Sequence, residues 1–83
     1  MYAPGEYAIA RENVERLHGG QWAAWLDQWA DYLTYGEHYS RGICDNVVNV
    51  FVALRKGEAS SATYWASETE RYRDVLVARM VTA

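Results

Sequence analysis

The densest apolar pattern of the chain lies in the segment 21–35, which begins QWAAWLDQWADYL. At about 100° per residue, its apolar and aromatic side chains fall within an arc of roughly 120° on a helical wheel. Three tryptophans on one stripe are too much apolar surface for an isolated helix, because each aromatic side chain buries about 150–250 Å². The pattern therefore predicts a helix whose tryptophan side packs against other helices, with Trp29 near the centre of the stripe.

Three further segments carry a helical period, and they are separated by glycine and serine residues that favour helix ends. We expect an all-α fold, a small four-helix bundle with helices at about 6–18, 21–35, 40–56 and 60–80, in a single domain over 1–83. The segment 47–54 is rich in β-branched residues, so a strand is the alternative there. We prefer a helix because the 3.6-residue period holds from Ile43 to Leu54.

The same periods predict which side chains lie inside the bundle. The predicted inner face of the first helix consists of Tyr7, Ala10, Val14, Leu17 and His18. The predicted inner face of the last helix consists of Ala62, Trp65, Thr69, Tyr72, Leu76 and Met80. The third helix has a wider apolar arc of roughly 200°, which predicts either a central helix or a helix with a second partner.

Composition narrows the classes of protein that fit. The chain has 83 residues and a net charge of −3. This charge argues against direct nucleic-acid binding, since a nucleic-acid backbone normally requires a basic face. The single Cys44 cannot form an internal disulfide, and 1–10 does not resemble a signal peptide. The chain contains no run of about 18 apolar residues, so the sequence predicts no membrane span. We therefore expect a cytoplasmic protein.

Two patterns bear on catalysis and metal binding. Glu15 and His18 have the Glu-x-x-His spacing of helical metal sites, but the wheel places Glu15 toward solvent and His38 lacks a matching glutamate. Cys44 lies in an apolar arc, where a thiol behaves as a small hydrophobe. No oxyanion donor set or phosphate-binding loop is recognisable. We expect no enzyme activity, no metal and no cofactor.

A helix-turn-helix DNA reader is a weaker alternative, with the second and third helices as the motif. The candidate recognition helix after Arg41 is apolar and contains Asp45. Base and phosphate contacts call instead for Arg, Lys, Asn or Gln, and only Asn46 and Asn49 fit.

A candidate partner-binding surface follows the exposed side of the tryptophan helix into the next connection. It consists of Asp27, Asp31, Tyr35, Glu37, His38 and Tyr39. Acidic residues would speed encounter with a basic protein surface, and tyrosines would anchor it. Asp27 and Asp31 are like charges one turn apart, so we expect Asn at both positions to leave folding intact. A surface around Tyr64, Glu68 and Arg71 is the alternative.

The wide arc of the third helix suggests self-association. Cys44, Val48 and Val52 exceed what one pair of neighbouring helices needs, so they are a candidate two-fold dimer surface. Under this hypothesis Val48→Asp converts a dimer into a folded monomer.

The sequence thus favours a non-catalytic protein-binding module over a self-associating structural or regulatory protein. In size and charge the chain resembles the small inhibitors of phages and mobile elements, anti-CRISPR proteins included. That resemblance implies steric occlusion of a basic surface on a host protein.

Overall fold

The computed structural model describes residues 2–36 and 39–82, and the chain in these ranges is helical without any strand. The helices are α1 (Pro4–His18), α2 (Gly20–Gln28), α3 (Ala30–Thr34), α4 (Arg41–Arg55) and α5 (Ala59–Thr82). The all-α prediction is confirmed, and so is the helix predicted over the β-branched segment 47–54. The described ranges hold five helices where four were predicted, because the segment 21–35 forms two.

The break in the segment 21–35 lies at Trp29. Its backbone (φ −111°, ψ 12°) leaves the helical region, and its N–H donates to the carbonyl oxygen of Leu26, three residues back, at 3.0 Å. Neither glycine nor proline stands at this position, so the local sequence carries no signal for a break. We attribute it to packing, since Trp29 is only 2% exposed and the Arg73 guanidinium of α5 lies 5.4 Å from its ring centre.

Glycines end α1 and α4, as their positions in the sequence predict. Gly19 has φ +99° and ψ 168°, a conformation that side chains rarely tolerate, and α2 begins directly after it. Gly57 has φ +78° and donates its N–H to the carbonyl oxygen of Leu54 at 3.1 Å. The next N–H, of Glu58, donates to Ala53 at 2.9 Å, which completes a Schellman motif. The two turns bring α2 against α1 and α5 against α4.

α1 begins at Pro4, two residues before the predicted start. Proline suits the first turn of a helix, because the N–H that it lacks would have no partner within the helix. The carboxylate of Glu6 accepts a hydrogen bond from the N–H of Ala3 at 3.4 Å, which supports this earlier start.

α4 is the central helix, with α1, α3 and α5 packed against it. Its buried residues are Ile43, Val47, Val50, Phe51, Ala53 and Leu54. They form one core with Val14 of α1, Leu26 of α2, Trp29, Leu33 of α3, and Ala62 and Ala66 of α5. The wide apolar arc of α4 is therefore largely satisfied by neighbours within the chain.

α5 extends past the start of α4. A Cβ added to Gly42, in the first turn of α4, would lie 2.8 Å from the Tyr72 ring, so glycine permits this close approach. Beyond Tyr72, α5 carries exposed apolar residues, namely Val75, Val77, Met80 and Val81. The prediction that Met80 lies in the core is wrong, since it is 78% exposed. No helix in the described ranges is long and apolar enough for a transmembrane segment.

The burial of Trp29 gives a prediction about stability. We expect Trp29→Ala to lower the free energy of unfolding by about 3–5 kcal/mol, which is close to the whole stability of a small domain. Trp29→Phe should cost much less, because the Trp29 indole N–H is buried without a hydrogen-bond partner in the described residues. Urea denaturation followed by circular dichroism measures both variants. A Trp29→Ala protein with the wild-type midpoint would contradict the central place of this side chain.

Candidate protein-binding site

Asp27, the first residue of the predicted partner surface, already has partners within the chain. Its Oδ1 accepts hydrogen bonds from the Tyr7 hydroxyl at 2.9 Å and from Nε of Arg11 at 3.1 Å. Its Oδ2 pairs with Nη2 of Arg11 at 3.0 Å. Tyr7 and Arg11 belong to α1, so these bonds tie α1 to α2.

The three groups change one another's ionisation. Hydrogen bonding to the Arg11 guanidinium, with help from the Tyr7 hydroxyl, lowers the pKa of the Asp27 carboxyl. Burial and the hydrogen bond to Asp27 raise the pKa of Tyr7. Because the Asp27 pKa is lower in the folded than in the unfolded chain, ionised Asp27 adds stability above the ordinary carboxyl pKa of about 4. That stability is lost as the pH falls through the lowered pKa.

Two matched substitutions test this network. We now expect Asp27→Asn to destabilise the fold at neutral pH, because it removes the charge paired with Arg11, whereas Asp31→Asn on the exposed side of α3 should not. Thermal unfolding at pH 7 and at about pH 3 measures both, and the gap between Asp27→Asn and the wild type should narrow at the acid pH. Equal melting temperatures for the two variants at pH 7 would show that the network adds nothing to stability.

The remaining residues of the predicted surface lie around the end of α3. Asp31 is exposed, and the side chains of Tyr35 and Tyr39 are 50% and 41% exposed. Glu37 and His38 lie outside the described residues, so their role stays a prediction. Asp27 is exposed as well, but its carboxylate is already paired with Tyr7 and Arg11. The structure thus leaves Asp31, Tyr35 and Tyr39 as the exposed residues of the predicted surface that are not used in this network.

Tyr39 is exposed and yet held in place. Its ring packs on the ring of Tyr32 with centroids 4.5 Å apart, and its N–H donates to the carbonyl oxygen of Gly36 at 3.1 Å. Tyr32 in turn packs on the buried Trp29 at 5.3 Å. A side chain already fixed in this way loses little conformational entropy when a partner covers it.

An open groove of about 490 Å³ runs between α3 and the first half of α4. We call it the aromatic groove; its lining residues are Tyr32, Leu33, Gly36, Tyr39, Arg41, Cys44, Asp45 and Val48. It brings Tyr39 of the predicted partner surface together with Cys44 and Val48 of the predicted dimer surface. The sequence had assigned these residues to two separate sites.

The thiol of Cys44 has the environment of a structural cysteine. Its Sγ lies 3.5 Å from the carbonyl oxygen of Gly36, to which it donates a weak hydrogen bond. Burial, with a contribution from the charge of Asp45, raises the pKa of this thiol. It is therefore protonated at neutral pH, which makes it a poor nucleophile.

The predicted dimer surface is covered in part. Cys44, Val48 and Val52 are all half-buried, and Val48 packs against the core. Val48→Asp would therefore also disturb the fold, so the variant is a poor test of dimerisation. The most exposed apolar side chains of the helices lie elsewhere, and they include Leu17 on α1 at 65%. The prediction that Leu17 belongs to the inner face of α1 is wrong.

Glu15 and His18 do not form a site together. Nε2 of His18 lies 2.7 Å from the carbonyl oxygen of Leu54 and donates to it, which joins the end of α1 to the end of α4. Oε1 of Glu15 accepts from Arg11 at 3.3 Å. In residues 2–36 and 39–82, no group of three or more histidine, cysteine, aspartate or glutamate side chains is placed to hold a metal ion.

The chain matches no protein-family model, no curated protein and no solved structure. Its class rests on its own fold and site: a small all-α protein with an aromatic groove on its surface.

Proposed function

We propose that the protein is a non-catalytic binding module that docks on another protein through the aromatic groove. The observation that carries this proposal is the state of Tyr39, whose exposed ring stands at the groove and is fixed on Tyr32. Tyrosine is enriched at protein interfaces, because it offers a large contact area with few rotatable bonds. An exposed tyrosine that is already held in place is suited to be an interface anchor, because little conformational entropy is lost when a partner covers it.

The groove suits a protein side chain better than a free small molecule. It is open to solvent, whereas small-molecule sites enclose most of the ligand. The half-buried Cys44 and Val48 supply apolar contact, and Arg41 and Asp45 supply opposite charges beside it. An apolar or aromatic side chain of the partner would fill the groove, while polar groups around it would pair with Arg41 and Asp45.

The charge of the chain favours a partner with a basic surface. The net charge is −3. Asp45 is exposed at the groove, and Asp31 is exposed on α3, next in sequence to Tyr32, which lines the groove. Asp27 contributes less than the sequence suggested, because Arg11 neutralises it. Long-range attraction would therefore come from Asp31 and Asp45, and it would speed association more than it strengthens the complex.

The action that we propose for this module is steric occlusion of its partner. The small acidic inhibitors of phages and mobile elements, anti-CRISPR proteins included, remain the class proposed, on size and charge, with the cytoplasm as the compartment. The protonated thiol of Cys44 supports binding rather than nucleophilic catalysis at the groove. The central position of α4 argues against the helix-turn-helix alternative, because a recognition helix must be free to enter the major groove.

Site-specific cross-linking tests the location of the surface. We expect p-benzoylphenylalanine in place of Tyr39 to cross-link one defined protein in the cell of origin or its host. The same probe in place of Tyr64, which is 57% exposed on α5, serves as the matched control and should not capture that protein. Capture at position 64 and not at 39 would move the surface to the region of Tyr64, Glu68 and Arg71.

Binding kinetics with the captured partner test Tyr39 as an anchor and Asp31 as a source of long-range attraction. We expect Tyr39→Ala to raise the dissociation rate about tenfold or more, because it removes an anchor worth about 1.4 kcal/mol or more. Asp31→Asn should instead slow association, and this loss should shrink at high salt because surface charges are screened. Surface plasmon resonance at low and high salt separates the two effects. Wild-type kinetics for both variants would refute the proposed use of the groove.

A further inference from the structure

A second uncovered surface lies along the outer side of α1. Ile9 and Leu17 are 66% and 65% exposed, and both line an open groove of about 500 Å³ between α1 and the end of α4. Eight residues separate them, so they lie on the same side of the helix about 12 Å apart. None of the residues that line this groove lines the aromatic groove.

The charges on this side of α1 are divided between its two ends. Glu6 lines the groove near the start of the helix, and Arg16 lines it near the end. Arg55 of α4 lines the opposite wall and is not part of this side of α1. Asn13 lies between them, and its Oδ1 accepts a hydrogen bond from Nη2 of Arg16 at 2.8 Å. This bond uses one of the five N–H groups of the guanidinium, so Arg16 can still pair with a carboxylate. We call this set the α1 stripe; its members are Glu6, Ile9, Asn13, Arg16 and Leu17.

We propose that the α1 stripe binds a second copy of the chain, with the two α1 helices antiparallel about a two-fold axis near Asn13. A two-fold contact joins one surface to itself, so the surface must be self-complementary. In this arrangement Ile9 faces Leu17 of the second copy and Leu17 faces Ile9. The residue that faces Arg16 of the second copy lies one helical turn from Glu6. The long side chain of Arg16 can therefore reach the Glu6 carboxylate of the other copy. The antiparallel helix dipoles also attract each other.

Charge decides how two α1 helices pair. A parallel pairing of two α1 helices would place Glu6 beside Glu6 and Arg16 beside Arg16. The antiparallel pairing of the α1 stripe is the one that joins unlike charges and apolar residues together.

The dimer would present two aromatic grooves. Because the grooves and the α1 stripe share no residues, self-association leaves both grooves open to partners. A dimer could therefore bind two sites on one target with higher avidity than the monomer. The dimer does not depend on the proposed function, since its test needs no partner protein.

Sedimentation equilibrium tests whether the α1 stripe forms a dimer. Protein concentrations from about 10 µM to about 1 mM are needed, because a contact between two short helices lies at the weak end of specific interfaces. We expect a monomer–dimer equilibrium for the wild type, a folded monomer for Leu17→Lys, and wild-type behaviour for Met80→Lys. Lysine is chosen because a cation near the end of a helix suits the helix dipole, so both variants should fold, which circular dichroism verifies. A wild type that is monomeric throughout, or a dimer lost in Met80→Lys and kept in Leu17→Lys, overturns the proposal.

Charge reversal tests the antiparallel register. Glu6→Arg and Arg16→Glu should each weaken the dimer about tenfold, because each places like charges opposite each other. The double variant should recover most of the wild-type dimerisation constant, since the reversed pair is again unlike in charge. Each reversal also opposes the α1 dipole, and Glu6→Arg removes the hydrogen bond from the Ala3 N–H. Failure of the double variant to recover while circular dichroism shows the helix content of the wild type overturns the antiparallel arrangement.

Discussion

The packing of α4 against α1, α3 and α5 positions the other elements of this small chain. Phe51 on α4 receives the rings of Tyr2 and Tyr7, at centroid distances of 4.9 and 6.1 Å, which places the start of α1. The end of α1 is placed by the bond from His18 to Leu54. A domain of this size buries a limited fraction of its surface, so one helix that is covered from several sides uses the available apolar area well.

A continuous row of aromatic side chains connects the core to the aromatic groove. Its members, in order, are Trp22, Trp25, Trp29, Tyr32 and Tyr39, with successive ring centroids 4.5–6.2 Å apart. These distances lie in the favourable range for aromatic pairs. Tyr39 stands outside the regular helices, yet its ring is the last of a row that passes through the buried Trp29. The exposed ring of Tyr39 therefore rests on the core, and its position does not depend on the connecting segment alone.

Local signals in the sequence were sufficient to predict where most of the helical segments lie. Glycine at 19 and 57 and the 3.6-residue period predicted where helices run, because both act within a few residues. The break at Trp29 could not be predicted, because it arises from packing against other helices. The predictions that Leu17 and Met80 are buried were also wrong. Periodicity shows which residues share a side of a helix, but it does not show whether a neighbouring helix covers that part of the side.

The candidate site was predictable only in part, for a related reason. Tyr35 and Tyr39 were recognised as surface tyrosines from the polar segment around them. The aromatic groove was not, since it joins Tyr39 to Cys44 and Val48 through the relative placement of α3 and α4. The pairing of Asp27 with Tyr7 and Arg11 was not predicted, because these partners lie 20 and 16 residues away. Contacts at that separation leave no periodic pattern.

The network around Asp27 supports α1, the helix that carries the α1 stripe, and contains no residue of the aromatic groove. Arg11 and Tyr7 hold the inner side of α1 against α2, Val14 is buried beneath the helix, and Tyr2 donates its N–H to Leu33 of α3 at 2.9 Å. A helix fixed along its inner side presents its outer residues at a constant spacing, which a two-fold contact requires. The charge of Asp27, which would otherwise attract a basic partner, is balanced by Arg11, and the same ion pair ties α1 to α2. A loss of this ion pair should therefore affect the α1 stripe before it affects the aromatic groove, since the groove is built on α3, α4 and the aromatic row.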